Sequence, residues 1–196
     1  VDFISHELPT CNVATMKGPS FAIELLNGAK TLFTLGYKEL DDLKKIRYIT
    51  SNTHIYLDYT IDYFGVEILS VLKNVYAILI GYVDAKYNSA NTRFLTLTKS
   101  FSEIKILLKE IGGDDETADL ACGFGDLGLT SLNDLSRNRT LGLMMGKGFF
   151  LNKDNNVVLE GVKAISIISD FISPKILDRL PLFSRIKRAF DEGDGI

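Results

Sequence analysis

The sequence predicts a mainly α-helical protein: a helical domain over residues 61–196, preceded at residues 1–60 by the closing part of an α/β sheet domain. Three observations predict it. Residues 1 to about 60 alternate short β-rich runs with short helical ones, the pattern of strands joined through helices. From Ile61 onward the chain carries long apolar-periodic segments with little two-residue alternation. Nowhere does a strand–GxGxxG–helix occur, so the pyrophosphate-seating start of a doubly wound sheet is not among these 196 residues.

Taken in order, Asn12 to Met16 is a brief β-favouring run, and Ser20 to Leu26 has the length of one or two helical turns. Lys30 to Leu35 is a β-rich run stopped by Gly36. Glu39 to Ile49 is a charged helix and His54 to Tyr59 a third strand. Six helices are expected beyond, at about 63–83, 92–111, 117–122, 135–146, 157–172 and 174–192. Ser173 reads as the cap of the last and Pro174 as its first turn, while Pro181 should kink or split it. Strands left at a sheet edge expose backbone donors and acceptors, so residues 1–60 are expected to self-associate or to be locally disordered without further strands.

Hydrophobic residues at 46% and charged ones at 24% exclude a disordered chain. A net charge of −3 argues against a nucleic-acid partner, which calls for a surplus of Lys and Arg. Two cysteines without CxxC spacing and two histidines suggest neither a disulfide framework nor a metal site, and a reducing cytoplasm fits. No basic leader precedes an apolar run, and no apolar stretch is read as approaching the ~20 residues of a bilayer span, so no membrane partner is expected. A first residue of Val rather than Met suggests that chain precedes it.

Three clusters carry chemistry. In the apolar segment Gly65 to Tyr82, Glu67, Ser70 and Lys73-Asn74 fall along one helical stripe. A lysine there is either partly desolvated and suited to proton transfer, or reaches out to water or to Glu67. Gly123 to Leu127, followed by Ser136-Arg137-Asn138-Arg139, reads either as a tight turn and a capping serine, or as a close backbone approach with a hydroxyl, a guanidinium fork and an amide for a phosphate. Lys17-Gly18-Pro19-Ser20-Phe21-Ala22, between strand and helix, reads as a turn plus cap, or as an anion site on the helix start.

Gly18 to Ala22 (GPSFA), Gly65-Val66-Glu67 with Leu72-Lys73-Asn74, Asn91 to Glu103, Gly125-Asp126-Leu127, Ser136 to Arg139 and Leu159-Glu160-Gly161 stand in the order and at the intervals of one family. Over residues 12 to 172 the chain resembles the C-terminal part of the bacterial-type NAD(P)-dependent glycerol-3-phosphate dehydrogenases. That resemblance implies a 6-phosphogluconate dehydrogenase C-terminal-like helical domain after the last strands of a Rossmann-like domain. It also implies reversible reduction of dihydroxyacetone phosphate to sn-glycerol 3-phosphate with NAD or NADP, for phospholipid synthesis, by a cytoplasmic homodimer. By matching positions, Lys73 would be the catalytic proton donor. Gly18, Ser20, Lys73, Asp126, Ser136, Arg137 and Asn138 would bind substrate, and Ala22, Arg137, Val158 and Glu160 the cofactor.

The chain departs from the family pattern at Leu69-Ser70, where two glycines are usual, at Lys99 in place of an arginine, and at Cys122 in place of a smaller residue. Two other readings stand beside the enzyme: a truncated or split-gene fragment persisting as a self-associating helical module, and a different dehydrogenase with a helical C-terminal domain. A strand–GxGxxG–helix upstream of Val1 separates the enzyme from the fragment, and Arg137-Asn138 together with Lys73 speaks against the third reading.

Overall fold

The computed structural model describes residues 1–149, 160–192 and 196. It is mainly α-helical, with one small sheet at the N-terminal end. The elements there are α1 (Asp2–Glu7), β1 (Thr15–Lys17), α2 (Ala22–Leu26), β2 (Thr31–Gly36), α3 (Leu40–Thr50) and β3 (Ile55–Thr60). β1 runs antiparallel to β2 with Lys17 opposite Thr34, and β3 runs parallel to β2 with Thr34 opposite Asp58. Parallel neighbours require a crossover, and α3 supplies it.

The first strand starts three residues later than expected, at Thr15, and α1 has no counterpart among the expected elements. α1 buries none of its residues, so no periodic apolar face announces it. Residues 1–60 form the three-stranded sheet and the helices around it. Among the described residues the outer edge of β3 is unpaired.

Beyond Asp62 come α4 (Tyr63–Tyr87), α5 (Ala90–Glu110), a 3-10 turn (Asp115–Asp119), a π turn (Ala121–Gly125), α6 (Asp126–Leu132) and α7 (Arg137–Gly146). After the undescribed stretch follow α8 (Glu160–Phe171), α9 (Pro174–Leu177) and α10 (Pro181–Glu192). Asp62 starts α4: Oδ1 accepts the Gly65 N–H at 2.8 Å, while Oδ2 accepts the Asp114 N–H and the Thr117 hydroxyl, each at 2.8 Å. One carboxylate thus ties the head of α4 to the 3-10 turn. Asn88, in the left-handed region at φ 43°, stops α4.

α4 is the axis of the core, with Leu72, Val75, Tyr76, Ile78 and Ile80 all fully buried. Against the expectation of no membrane-length run, α4 is long and apolar enough to span a bilayer by length and composition. Its surroundings explain that composition, because neighbouring helices cover most of it. α7 crosses α4 at backbone contact. A Cβ on Gly142 would stand 1.9 Å from the Ile78 carbonyl oxygen, and one on Gly81 would stand 2.3 Å from that of Arg139.

Three expectations for the helical part change. The helix expected at 117–122 is a 3-10 turn followed by a π turn, and the tight turn expected at 123–127 is the end of that π turn running into α6. Pro181 does split the last helix, into α9 and α10. Ser173 occupies the cap position of α9, but its side chain makes no capping hydrogen bond.

Candidate active site

A cleft of about 410 Å³ opens where the sheet meets the helices, within the usual range for small-molecule sites. Lys17, Gly18 and Ser20 line it from the β1–α2 side, Ser70, Lys73 and Asn74 from α4, and Asp126 and Thr130 from α6. Ser136, Arg137 and Asn138 at the head of α7 and Glu160 at the head of α8 complete it.

Lys73 sits mid-helix on an otherwise apolar element, which holds its side chain at 21% exposure. Its Nζ donates to Asp126 Oδ2 at 2.6 Å, so of the two readings of this lysine neither escape to water nor pairing with Glu67 applies. Glu67 instead lies 2.7 Å from the Val1 nitrogen. Asp126 is brought to this point by the π turn, a widened turn frequent at functional sites. Gly123 makes that turn possible, since a Cβ there would stand 2.0 Å from the Ala118 carbonyl oxygen.

Burial pushes the Asp126 carboxyl above its usual value, against the pull of the Lys73 ammonium, the Thr130 hydroxyl and the more distant Lys17 charge. Asp126 therefore depends on Lys73 to remain ionised in so enclosed a place. An ammonium has three protons; Asp126 takes one, and two remain for a ligand.

Two amides are oriented by their other bonds. Asn138 Oδ1 accepts the Gly161 N–H at 3.2 Å, so its NH2 group is left to donate. Asn74 Nδ2 donates to the Ser70 carbonyl at 3.1 Å, so its oxygen is left to accept. Gly161 is required at that crossing, because a Cβ would lie 2.8 Å from both Asn138 Oδ1 and the Asn74 carbonyl.

Ser136 caps α7 by accepting the Arg139 N–H at 3.2 Å, so its capping role and its place in the cleft wall coexist. Arg137 reaches outward at 71% exposure and pairs with Glu160 Oε1 at 2.6 Å. Gly18 has a structural reason to be glycine: a Cβ would stand 2.6 Å from the Leu32 carbonyl oxygen. Pro19 packs against Gly125, which joins the Gly-Pro-Ser turn to the π turn.

Not every candidate converges. Ser20 lines the cleft but caps nothing: Phe21 holds the cap position of α2, and that helix of five residues buries no side chain. Ala22 is exposed and does not line the cleft, whereas Phe21 does. Val158 lies outside the described residues. Four polar lining residues had no site role in the sequence reading: Lys17, Ser70 and Asn74, which stand inside the clusters singled out there, and Thr130, which does not and whose hydroxyl lies 3.3 Å from Asp126 Oδ1. The four-residue spacing of Asp126 and Thr130 becomes a signal only once 126–132 is taken as a helix.

The departures from the family pattern differ in place. Leu69 is core, Ser70 faces the cleft with its hydroxyl on the Glu67 carbonyl, and Lys99 is exposed. Cys122 is fully buried, and burial pushes its thiol up to about 11.

Comparison with known proteins identifies a family. A family model described as NAD-dependent glycerol-3-phosphate dehydrogenase C-terminus matches residues 62–195. A glycerol-3-phosphate dehydrogenase [NAD(P)+] of Methanothermobacter thermautotrophicus is 34% identical over 98% of this chain, which spans 59% of that protein. The crystal structure of glycerol-3-phosphate dehydrogenase from Coxiella burnetii superposes with TM-score 0.83 at 26% identity, over 98% of this chain and 60% of its own. The Plasmodium falciparum glycerol-3-phosphate dehydrogenase, at 16% identity and TM-score 0.84, shares the fold over 99% of this chain and 57% of its own.

Proposed function

Since the chain belongs to the NAD-dependent glycerol-3-phosphate dehydrogenase family and matches its C-terminal part, we propose that it supplies the catalytic and substrate-binding half of an enzyme that reversibly reduces dihydroxyacetone phosphate to sn-glycerol 3-phosphate. The single observation that carries the reading is convergence: Lys73, Asp126, Arg137 and Asn138, from three helices, line one cleft. NAD or NADP supplies the hydride when bound.

The residues of the chain do the rest. Asp126 holds the Lys73 ammonium in place, and the two remaining N–H donors meet the carbonyl oxygen as it gains negative charge. Lys73 then passes a proton to that oxygen and recovers one in the reverse direction. The Asn138 amide donors, the Ser136 hydroxyl and the Arg137 guanidinium take the phosphate, and that grip positions the reacting carbon. Asn74 and Thr130 complete the wall around the hydroxyl-bearing end.

On the cofactor side the fit is partial. Arg137 and Glu160 line the cleft and would meet the cofactor there, while the glycine-rich pyrophosphate seat is not part of this sequence. Ala22 and Val158 belong to the same proposed cofactor side. The division into a sheet part at 1–60 and a helical part at 61–196 is proposed with it, as are a homodimer, a cytoplasmic setting and a role in phospholipid synthesis. The net charge of −3 supports small-molecule partners over nucleic acid.

The test is oxidation of NADH and NADPH by the longest native chain with dihydroxyacetone phosphate. Substrate-dependent oxidation is expected. None with either cofactor, in a protein that carries the glycine-rich half, overturns the reading.

A further inference from the structure

Among the described residues the charges lining the cleft are three cations, Lys17, Lys73 and Arg137, and two carboxylates, Asp126 and Glu160. Each carboxylate is taken: Asp126 by Lys73 at 2.6 Å and Glu160 by Arg137 at 2.6 Å. The Lys17 ammonium makes no hydrogen bond or ion pair among the described residues, while its backbone belongs to the β1–β2 ladder. Its half-buried side chain leaves the last position of β1, directly before the Gly-Pro-Ser turn. Its charge is felt across the cleft at the Asp126 carboxyl.

An anion that enters shares Arg137 with Glu160 and Lys73 with Asp126, so each of those positive charges is already partly offset. At Lys17 it meets no carboxylate competitor within hydrogen-bond distance among the described residues. A cation already paired offers a ligand little net field, whereas an uncompensated one in a partly enclosed cleft acts at full charge. We propose that Lys17 is a specificity-determining residue of this cleft, the charge by which it selects a phosphorylated three-carbon ligand over the same carbon skeleton without phosphate. The inference rests on the reading of the cleft as a triose-phosphate site and goes beyond it, since neither Lys73 nor Arg137 supplies an unpaired charge.

The selection is electrostatic, so its signature is a ligand-charge dependence and a salt dependence that a structural lysine would not show. The experiment is calorimetric titration of the full native chain, and of Lys17→Met and Lys17→Arg, with sn-glycerol 3-phosphate, inorganic phosphate and glycerol at low and high salt. Thermal unfolding of each variant runs alongside. Lys17→Met is expected to weaken glycerol 3-phosphate and phosphate by roughly tenfold at low salt, with a smaller loss at high salt. It should leave glycerol and the unfolding temperature unchanged, and Lys17→Arg should stay within about twofold of the unsubstituted chain.

Unchanged glycerol 3-phosphate affinity in Lys17→Met overturns the inference and leaves the proposed function standing. Equal affinity of the unsubstituted chain for glycerol and glycerol 3-phosphate overturns the inference and, with it, the phosphate grip of the proposed function. A Lys17-dependent affinity for phosphate with none for glycerol 3-phosphate contradicts the proposed substrate while the anion-selecting lysine survives. Failure to bind either anion overturns both.

Discussion

Arg139 of α7 donates to Asp84 of α4 at 2.7 Å, and both side chains are buried. The same guanidinium reaches Asp134 at 3.2 Å and the Ser131 carbonyl at 3.1 Å, so it spans the link from α6 to α7. Arg93 of α5 is a second partner of Asp84. Ser136, Arg137 and Asn138 lie inside the segment that Arg139 ties down, and their placement at the cleft depends on it. Arg139→Met leaves a buried carboxylate with one partner fewer, and such losses cost about 3–5 kcal/mol. Denaturant unfolding is expected to show a loss of that order, and a change below about 1 kcal/mol would contradict the network's role.

The crossing of α4 and α7 gives a paired glycine test. Gly142→Ala drives a methyl to within 1.9 Å of the Ile78 carbonyl oxygen, so two helix backbones must part. Overpacking of this kind costs at least about 1–3 kcal/mol. Gly128 lies within α6, where an added methyl would meet nothing within 4 Å, and Gly128→Ala should stabilise by about 0.5–1 kcal/mol. Equal effects from the two substitutions would refute the packing assigned to Gly142.

Two buried carboxylates should tilt stability in opposite directions with pH. Burial raises Glu103 above its usual 4.5, outweighing the Leu182 and Phe183 N–H groups and the Tyr76 hydroxyl that bond it. The folded state then holds the proton more tightly than the unfolded one, and its contribution is full below about 4.5 and lost as pH rises through the raised value. For Asp84, burial acts upward but the Arg139 and Arg93 bonds prevail and hold it below 3.8. Its contribution is present above 3.8 and lost as pH falls through the lowered value. Unfolding across pH 2–7, compared with Glu103→Gln and Asp84→Asn, measures both slopes; slopes of the same sign would contradict the assignment.

The core helix and the order of strands and helices were legible because periodicity and turn residues report directly on local structure, whereas the candidate site residues were named through the order and spacing of motifs shared with a family. Lys73 stood out as a polar residue in an apolar helix, while Asp126, Arg137 and Asn138 read equally well as parts of a turn and a helix start. What stayed hidden depends on contacts remote in sequence. The Lys73–Asp126 pair bridges 53 positions. The π turn has no residue signature apart from Gly123, whose need for glycine arises from Ala118 across the turn. Lys17 stood in the sequence only at the head of a turn or anion-site motif, and its part in the cleft depends on both carboxylates there being paired elsewhere.

Arg137 separates binding from folding. At 71% exposure its pair with Glu160 is of the surface kind, worth about 0–1 kcal/mol. Arg137→Ala is therefore expected to leave unfolding within about 0.5 kcal/mol, and to raise KM for dihydroxyacetone phosphate in the complete enzyme. An unchanged KM for substrate and cofactor would remove Arg137 from the site.

The most direct measurement is turnover of Lys73→Ala in the complete enzyme, with circular dichroism to confirm the fold. A positioned proton donor contributes about 10²- to 10⁴-fold, so kcat should drop by at least about a hundredfold while the fold persists. Turnover close to that of the unsubstituted enzyme would contradict the account, because the 2.6 Å Lys73–Asp126 pair would then be a structural tie only.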